Sequence, residues 1–165
     1  MSTTKSAKPA APSRRARWLT KDQEAAWRSL AAVMVHLPWA LECQLQHDAD
    51  LSFIEYHALA MLSEQTEHTL RMSELAQLTN ASLSRLSHLV KRLERRGYIR
   101  REPDPVDGRY TLAMLTDTGY QHLVDSAPGH VEAVRRLVID VVSESQLRAI
   151  HKACQQILTQ LAPKG

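Results

Sequence analysis

Ser84, Arg85, His88, Lys91, Arg92 and Arg95 recur at a spacing that gathers them on one arc of a helix running roughly from Ser82 to Arg96. Hydroxyls, an imidazole and fixed cations on one face donate hydrogen bonds and attract negative charge. Leu83, Leu86, Leu89, Val90 and Leu93 fall on the opposite arc, so the same helix can seat itself on a core. Gly97 stands where a left-handed residue would close it. In a helix laid in a DNA major groove, small polar groups near the N-terminus reach base edges and cations further along meet phosphates. Ser84, Arg85 and His88 are thus candidate base readers, with Ser82 and Ser87 beside them in the contacting set. Lys91 and Arg92 are candidate phosphate anchors.

A further cation, Arg109, stands apart from this helix. Tyr98 to Arg101 and Tyr110 to Leu115 read as paired strands, joined by a tip containing Pro103, Asp104, Pro105, Asp107 and Gly108. Arg109 leaves that tip, and Asp107 is near enough in sequence to orient its guanidinium. A cation on a thin ribbon suits a minor groove, where the potential is negative and space is small.

These side chains need a scaffold. Thr79-Asn80-Ala81 makes a turn before the basic helix, Ser73 is expected to cap the helix ahead of it, and Thr69 to Arg71 adds a short strand beside the ribbon. Helix-turn-helix followed by a ribbon is a winged helix. Upstream, Ser52 and Glu55 form a capping box, with Leu51 stapled onto Tyr56 and Leu59 and Leu62 facing inward. Thr20 and Gln23 open a first helix bearing Trp27, Leu30, Met34, Leu37, Leu41 and Leu45, with a kink expected at Pro38. Thr116 and Asp117 open a fifth helix, with a bend or break expected near Ala127 because Pro128 and Gly129 follow. Ser143 and Gln146 open a sixth, whose stripe is Leu147, Ile150, Cys154, Ile157 and Leu161. The fold expected is mainly α with a small β-wing (α+β), a winged helix-turn-helix plus helices from both termini. The terminal stripes exceed what the winged helix can bury, which predicts a homodimer. Its two-fold axis would place two recognition helices one DNA turn apart on a palindromic double-stranded operator.

Arg71-Met72-Ser73-Glu74-Leu75-Ala76, the run Ser82 to Tyr98, Asp107-Gly108-Arg109 and Leu115-Thr116-Asp117-Thr118-Gly119 together resemble the MarR family of bacterial transcription regulators. Looser resemblance extends from about Trp18 to Leu161, and the wing departs from the family in the two prolines flanking Asp104. The resemblance implies an intertwined homodimer of the first, fifth and sixth helices, and a repressor relieved by a small aromatic or phenolic anion. His36, Trp39 and Tyr56 are the candidate lining of that effector's pocket. The expected organisation is a disordered basic tail over 1–17, a dimerisation helix over 18–50, the DNA-binding domain over 51–116 and dimerisation helices over 117–165.

Charge supports the same division. The net charge of +3 conceals five cations and no acids in residues 1–17, and eight cations against four acids in residues 85–109, leaving the remainder acidic. Other chemistries are less well supplied. Cys43 and His47 share a helical face near Asp48 and Asp50, a weak start for a metal site, and relatives that sense zinc or oxidants make a metal- or thiol-sensing regulator the alternative of the same fold. Cys43 and Cys154 are expected as small buried residues. Ser, His and Asp are plentiful, but a nucleophile elbow, a phosphate loop and a His-Glu-x-x-His pair are all missing, which argues against a hydrolase. A winged helix used for protein contact would not need the concentrated cations. No catalytic residue, metal or cofactor is therefore expected. No apolar run is long enough for a bilayer and no apolar core follows the basic N-terminus, so a cytoplasmic, nucleoid-associated protein is expected.

Overall fold

The computed structural model describes residues 16–161, and the expected basic tail lies outside the described residues but for Ala16 and Arg17. The described chain forms two units that divide between Met34 and Val35. The first holds the start of α1 (Lys21–Ala49). There the Gln23 amide donates to Thr20 Oγ1 and the Thr20 amide donates back to Gln23 Oε1, at 3.3 and 3.0 Å. Trp27, Leu30 and Met34 on this stretch are exposed.

In the second unit α1 continues as helix through Pro38 and buries Leu41 and Leu45. Then come α2 (Phe53–Ser63), β1 (Thr69–Arg71), α3 (Met72–Leu78), α4 (Leu83–Arg95), β2 (Ile99–Pro103), β3 (Thr111–Leu115), α5 (Asp117–Val134) and α6 (Glu144–Leu161). The three strands form an antiparallel sheet in the order β1-β3-β2, with Ala113 opposite both Leu70 and Arg101. Leu59, Leu62, Leu75, Leu86, Val90, Leu93, Ile99 and Ala113 are fully buried or nearly so and join α2, α3, α4 and the sheet in one core. Each such leucine contributes about 1.5–3 kcal/mol on leaving water. Among the described residues no helix is long and apolar enough to cross a membrane.

Several local expectations hold. Ser52 and Glu55 cap α2 reciprocally, Thr116 caps α5, and Ser143 pairs with Gln146 before α6. Gly97 takes the left-handed conformation, φ 76°. Others need correction. Ser73 does not cap α3; it lies inside that helix, because β1 runs straight into α3 and the Glu74 carboxylate accepts the Arg71 amide at 3.0 Å. Leu83 is 58% exposed at the start of α4, one turn too early to reach the core that takes Leu86. Of the bend or break expected near Ala127, the break is absent, and α5 passes through Pro128. Packing on both sides of the proline holds the helix: Leu123 is buried before it, while after it the His130 ring meets Tyr56 at 4.4 Å and bonds Gln44 at 3.2 Å. Departure from α geometry comes later, in a π-helical turn at Arg135–Ile139. Cys43 and Cys154, expected to be buried, are exposed on the single chain.

Candidate nucleic-acid interface

The basic helix α4 is fastened at its first turn by Ser82, whose Oγ accepts the Arg85 amide at 3.3 Å and lies 3.2 Å from Ser84 Oγ. Ser82 is therefore engaged as a cap. Leu86, Leu89, Val90 and Leu93 turn inward, which forces Ser84, Arg85, His88 and Lys91 outward, all of them exposed. Ser87 is half-buried and lines a cleft of about 360 Å³ that also takes Ser73, Leu83, Arg109 and Tyr110. The cleft thus runs between α4 and the wing.

Of the eight cations in residues 85–109, five are in ion pairs. Arg92 bonds Glu55, Arg96 bonds Asp50, Arg100 bonds Glu102, Arg101 bonds Glu94 and Arg109 bonds Asp107. Arg85, Lys91 and Arg95 have no such partner among the described residues and keep their full charge for an external anion. Arg92 departs most from expectation. Predicted beside Lys91 as a phosphate anchor, it turns toward α2, and its Nε donates to Glu55 Oε1 at 2.5 Å. Glu55 is 2% exposed and accepts the Ser52 amide and hydroxyl with its other oxygen, both at 2.8 Å. Burial pushes the Glu55 carboxyl up, but hydrogen bonds from Arg92 and Ser52 outweigh it and hold the group below the ordinary carboxylate value.

Removing Arg92 would strand that carboxylate. Arg92→Ala should destabilise the fold by about 2 kcal/mol, below the usual cost of breaking a buried pair because Arg92 itself is half-exposed. Glu55 is depressed in the folded state, so its contribution is full above the unfolded carboxylate value of 4.5 and fades as pH falls through the folded one. Urea unfolding across that window should show a steeper acid loss for wild type than for Arg92→Ala. Equal slopes would mean the pair carries no linkage.

At the wing, the predicted pairing is formed. Asp107 Oδ1 accepts the Arg109 amide and Nε at 3.2 and 2.9 Å, and Oδ2 accepts Nη2 at 2.6 Å. This fork holds the Asp107 carboxyl below its usual range, with the Arg109 side chain the largest cause. The Arg109 side chain is nevertheless 83% exposed, so it is aimed without being buried.

The candidate pocket residues are not brought together. Trp39 borders an open groove of about 600 Å³ between α1, α2 and α4, where Phe53, Arg85 and His88 also stand. His36 is exposed on α1 away from it, and Tyr56 is half-buried against His130. Among the described residues no group of three or more His, Cys, Asp or Glu is placed to hold a metal, Cys43 and His47 included. Sequence reasoning missed Arg71, Asp104 and Tyr110 as a group. The only local hint was Asp104 ahead of Pro105, a turn former whose burial is not visible in sequence.

Comparison with known proteins places this geometry. The sequence profile of the MarR family matches residues 49–109. Transcriptional repressor MprA of Escherichia coli (strain K12) is 26% identical over 112 residues, which are 67% of this chain, and the chain spans only 64% of that curated relative's length. Two structures from Streptomyces coelicolor superpose over nearly the whole chain. Sco3205, a MarR family transcriptional regulator in complex with DNA, is 40% identical with a TM-score of 0.87, covering 92% of this chain and 94% of its own. AbsC, of the same family, is 38% identical with a TM-score of 0.83, covering 88% and 98%. At 40% and 38% identity to these two regulators over most of its length, the chain belongs to the MarR family of transcriptional regulators.

Proposed function

We propose that this chain is a sequence-specific, double-stranded DNA-binding repressor that acts as a homodimer on a palindromic operator. The observation that carries the reading is the exposed arc Ser84, Arg85, His88 and Lys91, flanked by a wing whose Arg109 is aimed by Asp107. Hydroxyl, imidazole and guanidinium near the start of α4 suit base edges, and Lys91, further along and without an ion-pair partner among the described residues, suits a phosphate. The likeness to Sco3205, a regulator in complex with DNA, supports it. In a salt titration against a duplex enriched by the wild-type chain from a random-sequence library, Lys91→Ala should weaken all sequences alike. It should also flatten the logarithmic salt dependence by about one unit. A changed base preference would instead assign Lys91 to base reading.

Dimerisation is supported by apolar side chains left in solvent. Trp27, Val131, Val141, Ile150, Ile157 and Leu161 are all exposed on α1, α5, α6 and the turn before α6. Residues 18–50 and 117–165 are accordingly the dimerisation segments of this reading, and 51–116 the DNA-binding domain. Replacing Leu147 and Ile157 with glutamate should abolish folding or DNA binding. Sedimentation of the wild type should give a dimer at micromolar concentration, and a folded monomer there would rule it out. As effector, a small aromatic or phenolic anion fits the groove between Trp39 and Phe53 on one side and Arg85 and His88 on the other. Since Arg85 and His88 also face DNA, such a ligand would draw the same side chains away from the operator.

A further inference from the structure

Asp104 lies in an exposed wing tip, with Pro105, Val106, Arg109 and Tyr110 all in solvent, yet it is only 6% exposed itself. Its Oδ1 accepts the backbone amides of Val106 and Asp107, at 2.9 and 3.4 Å, which folds the tip back on itself. Its Oδ2 accepts Nε and Nη2 of Arg71 at 2.8 and 2.7 Å. The same guanidinium stacks on the Tyr110 ring, 4.5 Å from its centroid. Arg71 is the last residue of β1, opposite Leu112 of β3, and its own amide is held by Glu74 in the first turn of α3. One side chain therefore ties the wing tip to the start of the helix-turn-helix.

The contacts form a continuous series. Among the described residues the Arg109 guanidinium bonds only Asp107; the Asp107 amide is held by Asp104; Asp104 is held by Arg71; and Arg71 is fixed to α3. Tyr110, stacked under Arg71, forms a wall of the cleft beside α4. We propose that Arg71 is the positioning residue of the wing: through Asp104 and Tyr110 it sets where Arg109 stands relative to α4, without itself touching DNA. A guanidinium is required because only its planar fork can bond a carboxylate edge-on while its face lies on an aromatic ring. The inference rests on the reading of the wing as a DNA contact.

The rival role for Arg71 is that of one more cation attracting phosphate, and a double-mutant cycle separates the two. The probe is the duplex that the wild-type chain enriches from a random-sequence library. Arg71→Ala and Arg71→Lys should each lower affinity about tenfold, and either one added to Arg109→Ala should lower it no further than Arg109→Ala alone does. Asp104→Asn, which retains the side-chain shape, should behave like Arg71→Ala and carries the cycle if Arg71→Ala fails to fold. Losses that multiply, or full affinity for Arg71→Lys, would overturn the proposal while leaving the DNA reading intact. Wild-type protein that binds no duplex would remove both.

Discussion

Gly119→Ala is expected to cost about 3 kcal/mol of folding stability, although the position is helical. Helix propensity alone argues for the opposite sign, since alanine in a helix is favoured over glycine by about 1 kcal/mol. Geometry decides against it. A Cβ at Gly119 would lie 2.2 Å from the Tyr98 carbonyl oxygen and 2.9 Å from Leu115 Cδ1. The carbonyl cannot retreat freely, because it accepts the Thr116 amide at 3.0 Å, and the Thr116 hydroxyl is bonded to the Gly97 carbonyl at 2.6 Å. The start of α5 is thus pressed against the chain that leaves α4 and enters β2. Denaturant unfolding of Gly119→Ala measures the outcome; an unchanged or raised midpoint would mean that this approach is not as close as described.

Asp107→Ala should weaken operator binding even though it removes a negative charge from a DNA-facing surface. Arg109→Ala should lower affinity between about tenfold and a hundredfold, the scale of a well-placed arginine contact. Arg109→Lys should recover part of that, since a compact ammonium lacks the fork that Asp107 holds and is more strongly hydrated. Without Asp107, Arg109 stays charged but is free to sample conformations pointing away from the groove, and the ordering cost is met on binding. Simple charge counting predicts tighter binding. Tighter binding by a folded Asp107→Ala protein would show that Asp107 merely repels phosphate.

What was legible in the sequence is what local spacing encodes. The Ser52–Glu55 box, Gly97 at the end of α4, Thr116 three residues before Gly119, and the Asp107–Arg109 fork each involve residues within three or so positions, so the chain itself brings them together. The periodicity of α4 likewise separated Leu86, Leu89, Val90 and Leu93 from the polar arc. The remainder depended on contacts between distant segments. Arg92 meets Glu55 across 37 positions and Arg71 meets Asp104 across 33, pairings for which no short pattern exists. The cation arc read from sequence therefore includes one side chain, Arg92, that also bonds a buried carboxylate. Ser73 fails as a cap for a different reason. Cap residues look alike in sequence, and Glu74 three residues after Arg71 accepts its amide, one half of a capping box, without any hydroxyl. Pro128 shows tertiary packing overriding a breaker, through Leu123 and His130 on its two sides.

The most direct test of the central claim is selection of duplexes by the wild-type chain from a random-sequence library at fixed salt, followed by sequencing. The account predicts an inverted repeat whose half-site centres are one helical turn apart, about 10–10.5 base pairs, with preference at the half-site bases relaxed by Arg85→Ala. Enrichment of no sequence, or of one that is indifferent to Arg85, would contradict it.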